Sequence, residues 1–474
     1  MEEDAPKSSL RKNLLWIFLA LITVPVLLAV IWRSVDNSAT AKIQAAIARN
    51  HEPLTLAELA ARYPPIPDNQ NAASALLDLW ESEQGEFWAQ FRRGESLNAP
   101  FVSPPVDPGV PLIGANSLHV PLGQPLDPEL LAAGEAYLAQ QQAHIEALQI
   151  ALSRPHSRFP LQFANGSLMV LPHLSRIRRE AQNLQLQALV ALEHGDSSAA
   201  VRALEVGASV GQLLASEPIL ISQLVRIAVD RLELDGLERL LSRQPLSTSQ
   251  LRELDAVVRR MELHGVLREA LIGERAFLFD RLNSGDAFGM GDFEGEAKGG
   301  TQLGTQVLEL TGLLPSDRRL AMDTFTKAIA LLEHESPSAL EEYQKLIDAA
   351  SAEAGRFPPK ILSKAILPAF SKTAEKFAAY EARRRSALTA VAIESFRVAN
   401  QGRSPEQLEE LVPNYLASLP EDPFDGHSLR YKRTATGYIV YSVGADRIDG
   451  GGAGPTSQGS SVKPGADETF KVER

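Results

Sequence analysis

The feature that most limits the possible folds is an apolar run near the start of the sequence, from Leu14 to Trp32. It holds nineteen residues, and none of them is charged. A helix of this run would be about 28 Å long, close to the ~30 Å hydrocarbon core of a bilayer. Trp16 and Trp32 stand near its ends, where aromatic side chains meet the membrane interfaces. We therefore predict a transmembrane helix at 14–32 after a cytoplasmic tail at 1–13.

A secretory signal peptide is the alternative interpretation of this run. Lys7, Arg11 and Lys12 precede it, as they would precede either a signal or an anchor. The run is long for a signal peptide, however, and no small-x-small cleavage site directly follows it. The nearest such site, Ala39–Ala41, is distant from the end of the run. The clustered positive charges favour a cytoplasmic N-terminus. We expect a single-pass protein of the bacterial inner membrane with the bulk of its chain in the periplasm.

Composition excludes several classes of partner and site. The formal net charge of −12 argues against nucleic acid as a partner. The sequence contains no cysteine, so it has no disulfide scaffold, no cysteine metal site and no thiol nucleophile. At 474 residues the chain has room for two or three domains.

A helical body is predicted at 34–283, organised as stacked helical hairpins around an irregular Pro-rich loop at 98–127. Thr55 and Asn71 are candidate N-caps of short helices. The longer helices are predicted at 129–153, 173–193, 197–216, 219–242, 248–261 and 266–282. Small residues at Ala188, Gly195, Ala200 and Gly207 resemble one tetratricopeptide repeat spanning about 184–214, without establishing a repeat array.

Two further segments lead to the C-terminal part of the chain. A Gly-rich linker or loop is predicted at 284–312, because many glycines raise the entropy cost of ordering a backbone. A helical connector follows at 313–370, with Ser316 as the N-cap of its first helix and Ser336–Pro337 opening the next.

The last hundred residues, 371–474, are predicted to form a small α+β domain. Leu388, Val391, Ala392 and Phe396 make one apolar stripe on a helix. Ser404 is predicted to cap a helix over 404–412, with Gln407 completing a capping box. Asp422–Gly426 is a turn signal. Strands are predicted at 429–432, 438–443 and 469–472, the first two joined by a hairpin turn at 434–437.

This C-terminal pattern resembles the globular domain of the type II secretion major pseudopilins, the G-type subunit. The matching residues are Asp422, Pro423, Gly426, Tyr441, Ser442, Gly444, Ala445 and Asp446. The resemblance implies that the loop after the hairpin binds calcium. Its ligands would be the Val443 carbonyl and the side chains of Asp446, Asp449 and Asp467.

The resemblance stops at this domain. In this sequence no glycine precedes the apolar run, the run has no acidic residue, and about 340 residues separate it from the pseudopilin-like domain. We therefore expect neither cleavage by a prepilin peptidase nor assembly into a filament by that family's route. The predicted fold is mainly α, with a transmembrane helix, a helical-hairpin body and this small domain.

Catalytic motifs are weak throughout. Gly207–Gly211 matches the G-x-S-x-G nucleophile pattern, but it lies inside a predicted amphipathic helix, where close helix packing explains the glycines. His156 and His173 flank an irregular segment and are a candidate metal pair, and Glu274–Arg275 is a candidate buried ion pair. There is no H-E-x-x-H motif and no Walker loop.

Two functions from different classes follow. The first is a non-enzymatic, membrane-anchored envelope scaffold that binds a protein partner and is linked to secretion or envelope assembly. The alternative is a membrane-tethered extracytoplasmic hydrolase with its site in the helical body. A deep pocket with converging His, Asp or Glu side chains would favour the hydrolase, and a shallow groove would favour the scaffold.

Overall fold

The computed structural model describes residues 7–95, 110–111, 122–283, 313–334, 336–357, 360–454 and 466–474. The Pro-rich loop predicted at 98–127 lies largely outside these described residues, and the Gly-rich segment at 284–312 lies wholly outside them. The described chain is mainly helical with one small antiparallel sheet, which confirms the predicted fold class at that level.

Fourteen α-helices form in the described part of the chain. Their bounds are α1 Lys7–Arg49, α2 Leu56–Ala61, α3 Ala72–Gln84, α4 Glu86–Arg93, α5 Pro128–Leu152, α6 His173–Glu193, α7 Ser197–Gln212, α8 Leu220–Arg243, α9 Thr248–Arg260, α10 Val266–Asn283, α11 Leu313–Leu331, α12 Pro337–Ala354, α13 Ile361–Ser371 and α14 Thr373–Ala399. The N-caps predicted at Thr55 and Asn71 are confirmed: their side chains accept the N–H groups of Glu58 and Ala73.

The chain divides into two compact units. The first comprises Met1–Leu59, Leu271–Leu331 and Glu342–Lys372, and the second comprises Ala60–Ala270, Leu332–Glu341 and Thr373–Arg474. Among the described residues no helix has the length and apolarity that a bilayer span requires. Most side chains between residues 14 and 32 lie outside the described residues.

In the first unit, α11 packs against α1 and α13. The N-cap predicted at Ser316 is wrong, because Ser316 is buried inside α11. The neighbouring Asp317 caps a different helix: its carboxylate accepts the N–H groups of Leu362 and Ser363 at 2.8 and 2.9 Å, in the first turn of α13. The predicted cap is wrong because the helix already includes Leu313, three residues before Ser316, and the Asp317 cap of α13 carries no local sequence signal.

Arg275 also lies in the first unit, where its side chain is fully buried. Its Nη2 atom donates to Glu52 Oε2 at 2.8 Å. The candidate ion pair at Glu274–Arg275 thus contains a buried arginine whose carboxylate partner comes from the loop after α1.

In the second unit, α6, α7 and α8 pack side by side, α5 packs against α6, and α3 packs against α5. Their shared apolar core includes Trp80, Leu148, Phe159, Ile177, Leu184, Val210, Leu214 and Val229. The long helix α14 packs against α8 and α9 on one side and against the sheet on the other. The predicted stripe of Leu388, Val391, Ala392 and Phe396 is buried there.

The sheet has the strand order β1 Arg430–Arg433, β2 Gly437–Ser442 and β3 Glu468–Glu473, all antiparallel. Arg430 pairs with Tyr441, and Ser442 pairs with Glu468. The Thr434 N–H closes the hairpin on the Gly437 carbonyl at 2.9 Å. All three predicted strands are therefore confirmed to within a residue or two.

The helix predicted over 404–412 is wrong. Only a short 3₁₀ turn forms, at Leu408–Leu411, and its N-cap is Gln407 rather than Ser404. Glu410 turns back to accept the N–H groups of Glu406 and Gln407, which makes the capping box three residues later than predicted. Pro413 disfavours helical backbone at the preceding residue, so the turn cannot extend into a helix.

Candidate functional site

A single buried carboxylate, Asp422, joins a turn to the hairpin in the C-terminal part of the chain. Its Oδ1 atom accepts the Phe424 N–H at 2.9 Å and the Ser442 hydroxyl at 2.8 Å. Its Oδ2 atom accepts the Val443 N–H at 3.0 Å and Arg430 Nη1 at 2.8 Å. Asp422 is fully buried. The turn that carries it is thereby fixed to both strands of the hairpin.

Of the predicted calcium ligands, Asp467 is fully buried and serves the loop itself. Its Oδ1 atom accepts the Gly450 N–H at 3.1 Å. Its Oδ2 atom accepts the N–H groups of Gly452 and Ala453 at 2.7 and 3.2 Å. Three backbone donors thus occupy both oxygens of this carboxylate, and they tie the Gly-rich loop to the start of β3.

The other predicted ligands are placed around the same loop. Asp449 Oδ1 accepts the Tyr441 hydroxyl at 3.1 Å and the Gly451 N–H at 2.8 Å. Asp446 is exposed, and one of its oxygens accepts the Ile448 N–H. Val443 is buried.

These residues do not fit a calcium ion as they are placed. Within the described chain, no three acidic or imidazole side chains converge to hold a metal. Calcium takes six to eight oxygens, and several of those predicted here already accept N–H or O–H groups of the loop. Calcium binding therefore stays a prediction that rests on the resemblance.

A cleft of about 540 Å³ lies beside the Asp422 turn in the second unit. We call it the acidic cleft. Its apolar lining is formed by Leu263, Leu267, Leu332, Leu340, Phe377 and Ala378. Its polar lining is formed by Glu262, Glu333, Glu381, Glu421, Asp422, Arg385, His264 and His334.

Five acidic residues and one arginine line the acidic cleft, but the Asp422 carboxylate is bound within its own turn and hairpin, which leaves four other acids. Glu381 is less exposed than Glu262, Glu333 and Glu421. Burial acts to raise its pKa, but bonds from Arg384 at 2.6 and 2.8 Å and from Arg385 at 2.8 Å together lower the pKa below the ordinary value. Arg385 also donates to the Glu421 carbonyl at 2.6 Å. Arg385 and Glu381 are therefore both engaged, and the exposed negative charge of the cleft comes from Glu262, Glu333 and Glu421.

A second cleft, of about 460 Å³, opens between α3, α5 and α6. We call it the polar cleft. It is lined by Glu83, Tyr137, Gln140, Gln141, Ala143, His144, Arg176, Arg179, Glu180 and Asn183. All but one of these side chains carry hydrogen-bonding groups.

His144 is held between two carboxylates in the polar cleft. Its Nδ1 atom lies 2.6 Å from Glu83 Oε1, and its Nε2 atom lies 2.7 Å from Glu180 Oε2. Burial acts to lower the pKa of His144, but the bonds and charges of Glu180 and Glu83 outweigh it and raise the pKa to about 9. His144 is therefore an imidazolium at neutral pH. Glu180 is fully buried and also accepts Trp80 Nε1 at 3.0 Å.

The glycines of the G-x-S-x-G pattern serve helix packing, as expected. The pattern lies within α7, and the Ser209 hydroxyl donates to the Glu205 carbonyl one turn earlier. A Cβ at Gly207 would collide with the Glu233 carboxylate of α8, and a Cβ at Gly211 would collide with that of Asp230. The two glycines therefore make room for acidic side chains of the neighbouring helix.

This pair of buried acids was not predicted from the sequence. Both Asp230 and Glu233 are buried. Burial raises the pKa of Asp230 to about 7, despite the opposing charge of Arg226, and raises the pKa of Glu233 well above its ordinary value. The Tyr380 hydroxyl of α14 lies 3.0 Å from Asp230 Oδ2 and 2.7 Å from the Met261 carbonyl. The sequence carries one signal for these acids: polar residues recur every three or four positions along α8, on the face that packs against the two glycines of α7.

The two candidate metal-ligating histidines have separate structural roles. His173 is fully buried, is stacked 4.4 Å from the Phe159 ring, and lies 3.0 Å from Glu217 Oε1 through Nε2. His156 is exposed, and its backbone exchanges hydrogen bonds with Gln70 and Ala72. Neither belongs to a metal-holding group among the described residues.

No known protein family matches this sequence, and neither the curated proteins nor the solved structures contain a match to it. The resemblances to pseudopilins and to a tetratricopeptide repeat therefore remain predictions from the residues that carry them.

Proposed function

We propose that the protein is a membrane-anchored scaffold of the bacterial envelope that binds a protein partner through the acidic cleft. The observation that carries the proposal is the composition of that cleft, in which three exposed acids, Glu262, Glu333 and Glu421, lie beside apolar side chains. Scaffolds recognise their partners through such surfaces, and a cleft of about 540 Å³ is within the usual range for a binding site.

The charge of the acidic cleft defines the chemistry of the partner. Glu262 and Glu333 are exposed at its mouth, where they attract cations and repel anions. Leu263, Leu267 and Phe377 offer apolar surface below them. A segment that alternates Lys or Arg with large apolar side chains satisfies both parts of the cleft.

The anchor is supported by helix α1. At 43 residues this helix is about 65 Å long, more than twice the thickness of a hydrocarbon core. Its described apolar side chains between residues 16 and 31 are 48–68% exposed, namely Trp16, Leu19, Leu21, Val24, Leu27, Val30 and Ile31. Further along the same helix Asp36, Thr40 and Ile47 are buried in the first unit. Exposed apolar surface on this scale needs a partner, and the lipid of the inner membrane supplies one.

A tethered hydrolase is the second candidate, and one observation favours it: His144 and two glutamates converge in the polar cleft. The same geometry argues against base catalysis, because both ring nitrogens face carboxylates and the raised pKa keeps the imidazole protonated at neutral pH. Among the described residues that line this cleft there is no serine, threonine or cysteine to act as a nucleophile. The scaffold is therefore the better supported proposal.

The test uses a defined probe together with the natural partners. Full-length protein in detergent is titrated with a Lys/Leu amphipathic peptide and with its Glu/Leu counterpart. We expect the basic peptide to bind and the acidic one not to, with affinity falling as salt rises. In parallel, envelope extracts are crosslinked to the wild-type protein to recover its partners.

Charge reversal at the mouth of the cleft supplies the variant. Glu262→Lys combined with Glu333→Lys should abolish both peptide binding and the crosslinked partner. The matched control reverses Glu253 and Glu375, two exposed acids outside the cleft lining, and should retain both. Equal loss in the two double variants, or equal binding of the two peptides, would rule out the acidic cleft as the docking site.

A further inference from the structure

The polar cleft has a lining that is unusual for a ligand site. Most small-molecule pockets are mainly apolar with a few polar groups. Here three carboxamides and a phenol, from Gln140, Gln141, Asn183 and Tyr137, stand beside charged side chains, and Ala143 is the one apolar residue. Such a surface stays hydrated unless a ligand replaces many hydrogen bonds at once.

The charges of the polar cleft are largely compensated within the protein. His144 bridges Glu83 and Glu180, Arg176 bonds to Glu83, and Arg176 Nε lies 3.3 Å from Glu180 Oε1. Two cations therefore neutralise two carboxylates, and Arg179, the third cation of the lining, also interacts within the protein. Since these groups already have counter-charges, an ionic ligand would have to break existing pairs to gain a partner.

Several of the hydrogen-bonding groups are fixed before any ligand binds. Asn183 is 2% exposed, and its side-chain oxygen accepts the Tyr137 hydroxyl at 3.0 Å. Glu180 is fully buried, and Trp80 and His144 hold its two oxygens. A preordered site loses less conformational entropy on binding, so it can hold even a well-hydrated ligand.

We infer that the polar cleft binds a neutral, polyhydroxylated ligand, and specifically a segment of a glycan chain. Hydroxyl groups act both as donors and as acceptors, which is what a surface of carboxamides, a phenol and paired charges requires. The carboxamides of Gln140 and Gln141 on α5 contact the sugar hydroxyls, and the buried network around His144 forms the base of the site. This site shares no residue with the acidic cleft, so the test of this inference is independent of the proposed scaffold function.

The experiment measures binding of soluble oligosaccharides to the full-length protein in detergent by calorimetry and by saturation-transfer NMR. The probes are the tetramer of N-acetylglucosamine, the tetramer of glucose, tetra-alanine as a peptide backbone, and inorganic phosphate. We expect at least one sugar to bind while tetra-alanine and phosphate do not. Because the pKa of His144 is near 9, the affinity should be constant from pH 6 to pH 8.

The variant pair lies on one helix. Gln140→Ala with Gln141→Ala should weaken sugar binding at least about tenfold, or ~1.4 kcal/mol. Gln142→Ala, next in sequence but outside the cleft lining, should leave binding unchanged. Circular dichroism and Tm should match among all three proteins, since these side chains are surface residues of α5. No binding of either sugar by the wild-type protein, preferential binding of tetra-alanine or phosphate, or equal loss in the Gln142→Ala control would overturn the inference.

Discussion

The carboxylate of Asp422 accepts the backbone N–H of Val443 at 3.0 Å, although the two residues are twenty-one positions apart in the sequence. The same carboxylate also binds Arg430, Ser442 and Phe424. One buried side chain thus joins the turn after the 3₁₀ helix to both strands of the hairpin. The fixed position of this turn also defines one wall of the acidic cleft.

Replacing Asp422 should therefore destabilise the domain strongly. In Asp422→Ala four donors lose their acceptor, and Arg430 loses one of its carboxylate partners. We expect a loss of about 3–5 kcal/mol in the free energy of unfolding, the range for breaking a buried ion pair. Chemical denaturation of the wild type and the variant measures it. The control is His427→Ala, because His427 is an exposed residue of the same turn, and it should lower the free energy of unfolding by less than about 0.5 kcal/mol. Equal losses in the two variants would contradict the role given to Asp422.

The buried acids of α8 should make stability depend on pH. When the pKa of an acid is higher in the folded than in the unfolded state, the protonated form of that acid favours folding. For Asp230 this stabilisation is complete below about pH 4 and is lost as the pH rises through about 7. Its size is on the order of 2–4 kcal/mol. Burial also raises the pKa of Glu233, so its contribution has the same sign.

Urea unfolding at pH 5 and pH 8 measures this effect. The wild type should be less stable at pH 8, and Asp230→Asn with Glu233→Gln should reduce the difference, because neutral amides of similar shape replace both acids. Glu205→Gln, a partly exposed acid on α7 that pairs with Arg260, is the control and should keep the wild-type profile. A double variant with an unchanged pH profile would show that these acids are ionised in the folded protein.

Variants at two of the predicted calcium ligands distinguish an effect on calcium binding from an effect on loop stability. Asp467→Ala should lower the Tm in the presence of EDTA, because three backbone N–H groups lose their buried acceptor. Asp446→Ala should leave the Tm in EDTA nearly unchanged, because Asp446 is exposed. If the resemblance to pseudopilins extends to calcium, adding calcium raises the Tm of the wild type and not that of Asp446→Ala. A wild-type Tm that calcium does not change would refute this extension.

Local sequence signals predicted most of the elements and few of the contacts that define the sites. The helices of the second unit and all three strands followed from periodicity, caps and turn residues, because those signals lie within a few positions of the element they specify. Ser316 failed as a cap because its helix already includes Leu313, and Ser404 failed because only a short turn that starts after Gln407 forms there.

The candidate sites depend on contacts between residues far apart in the sequence. Glu83, His144 and Glu180 come from three helices and meet only after these helices pack. The glycines at 207 and 211 were recognised as packing residues, but the acids that they accommodate could not be identified without the position of α8. Neither cleft carries a motif of adjacent residues, and so neither was predicted.

The central claim is that the protein is anchored in the inner membrane with its body outside the cytoplasm, and the anchor depends on the exposed apolar side chains of α1. Leu21→Arg with Leu27→Arg should release the protein from membranes in alkaline carbonate, because each arginine costs about 2.5–3.5 kcal/mol at the centre of a bilayer. Val35→Arg, at an exposed position beyond the predicted span, is the control and should stay in the membrane.

The most direct measurement uses the absence of cysteine from the sequence. A single cysteine at exposed Glu253 is treated with a membrane-impermeant maleimide in intact spheroplasts, followed by separation of membranes from soluble protein. The account predicts labelling without lysis, with all labelled protein in the membrane fraction. Labelling only after lysis, or intact protein in the soluble fraction, would contradict it.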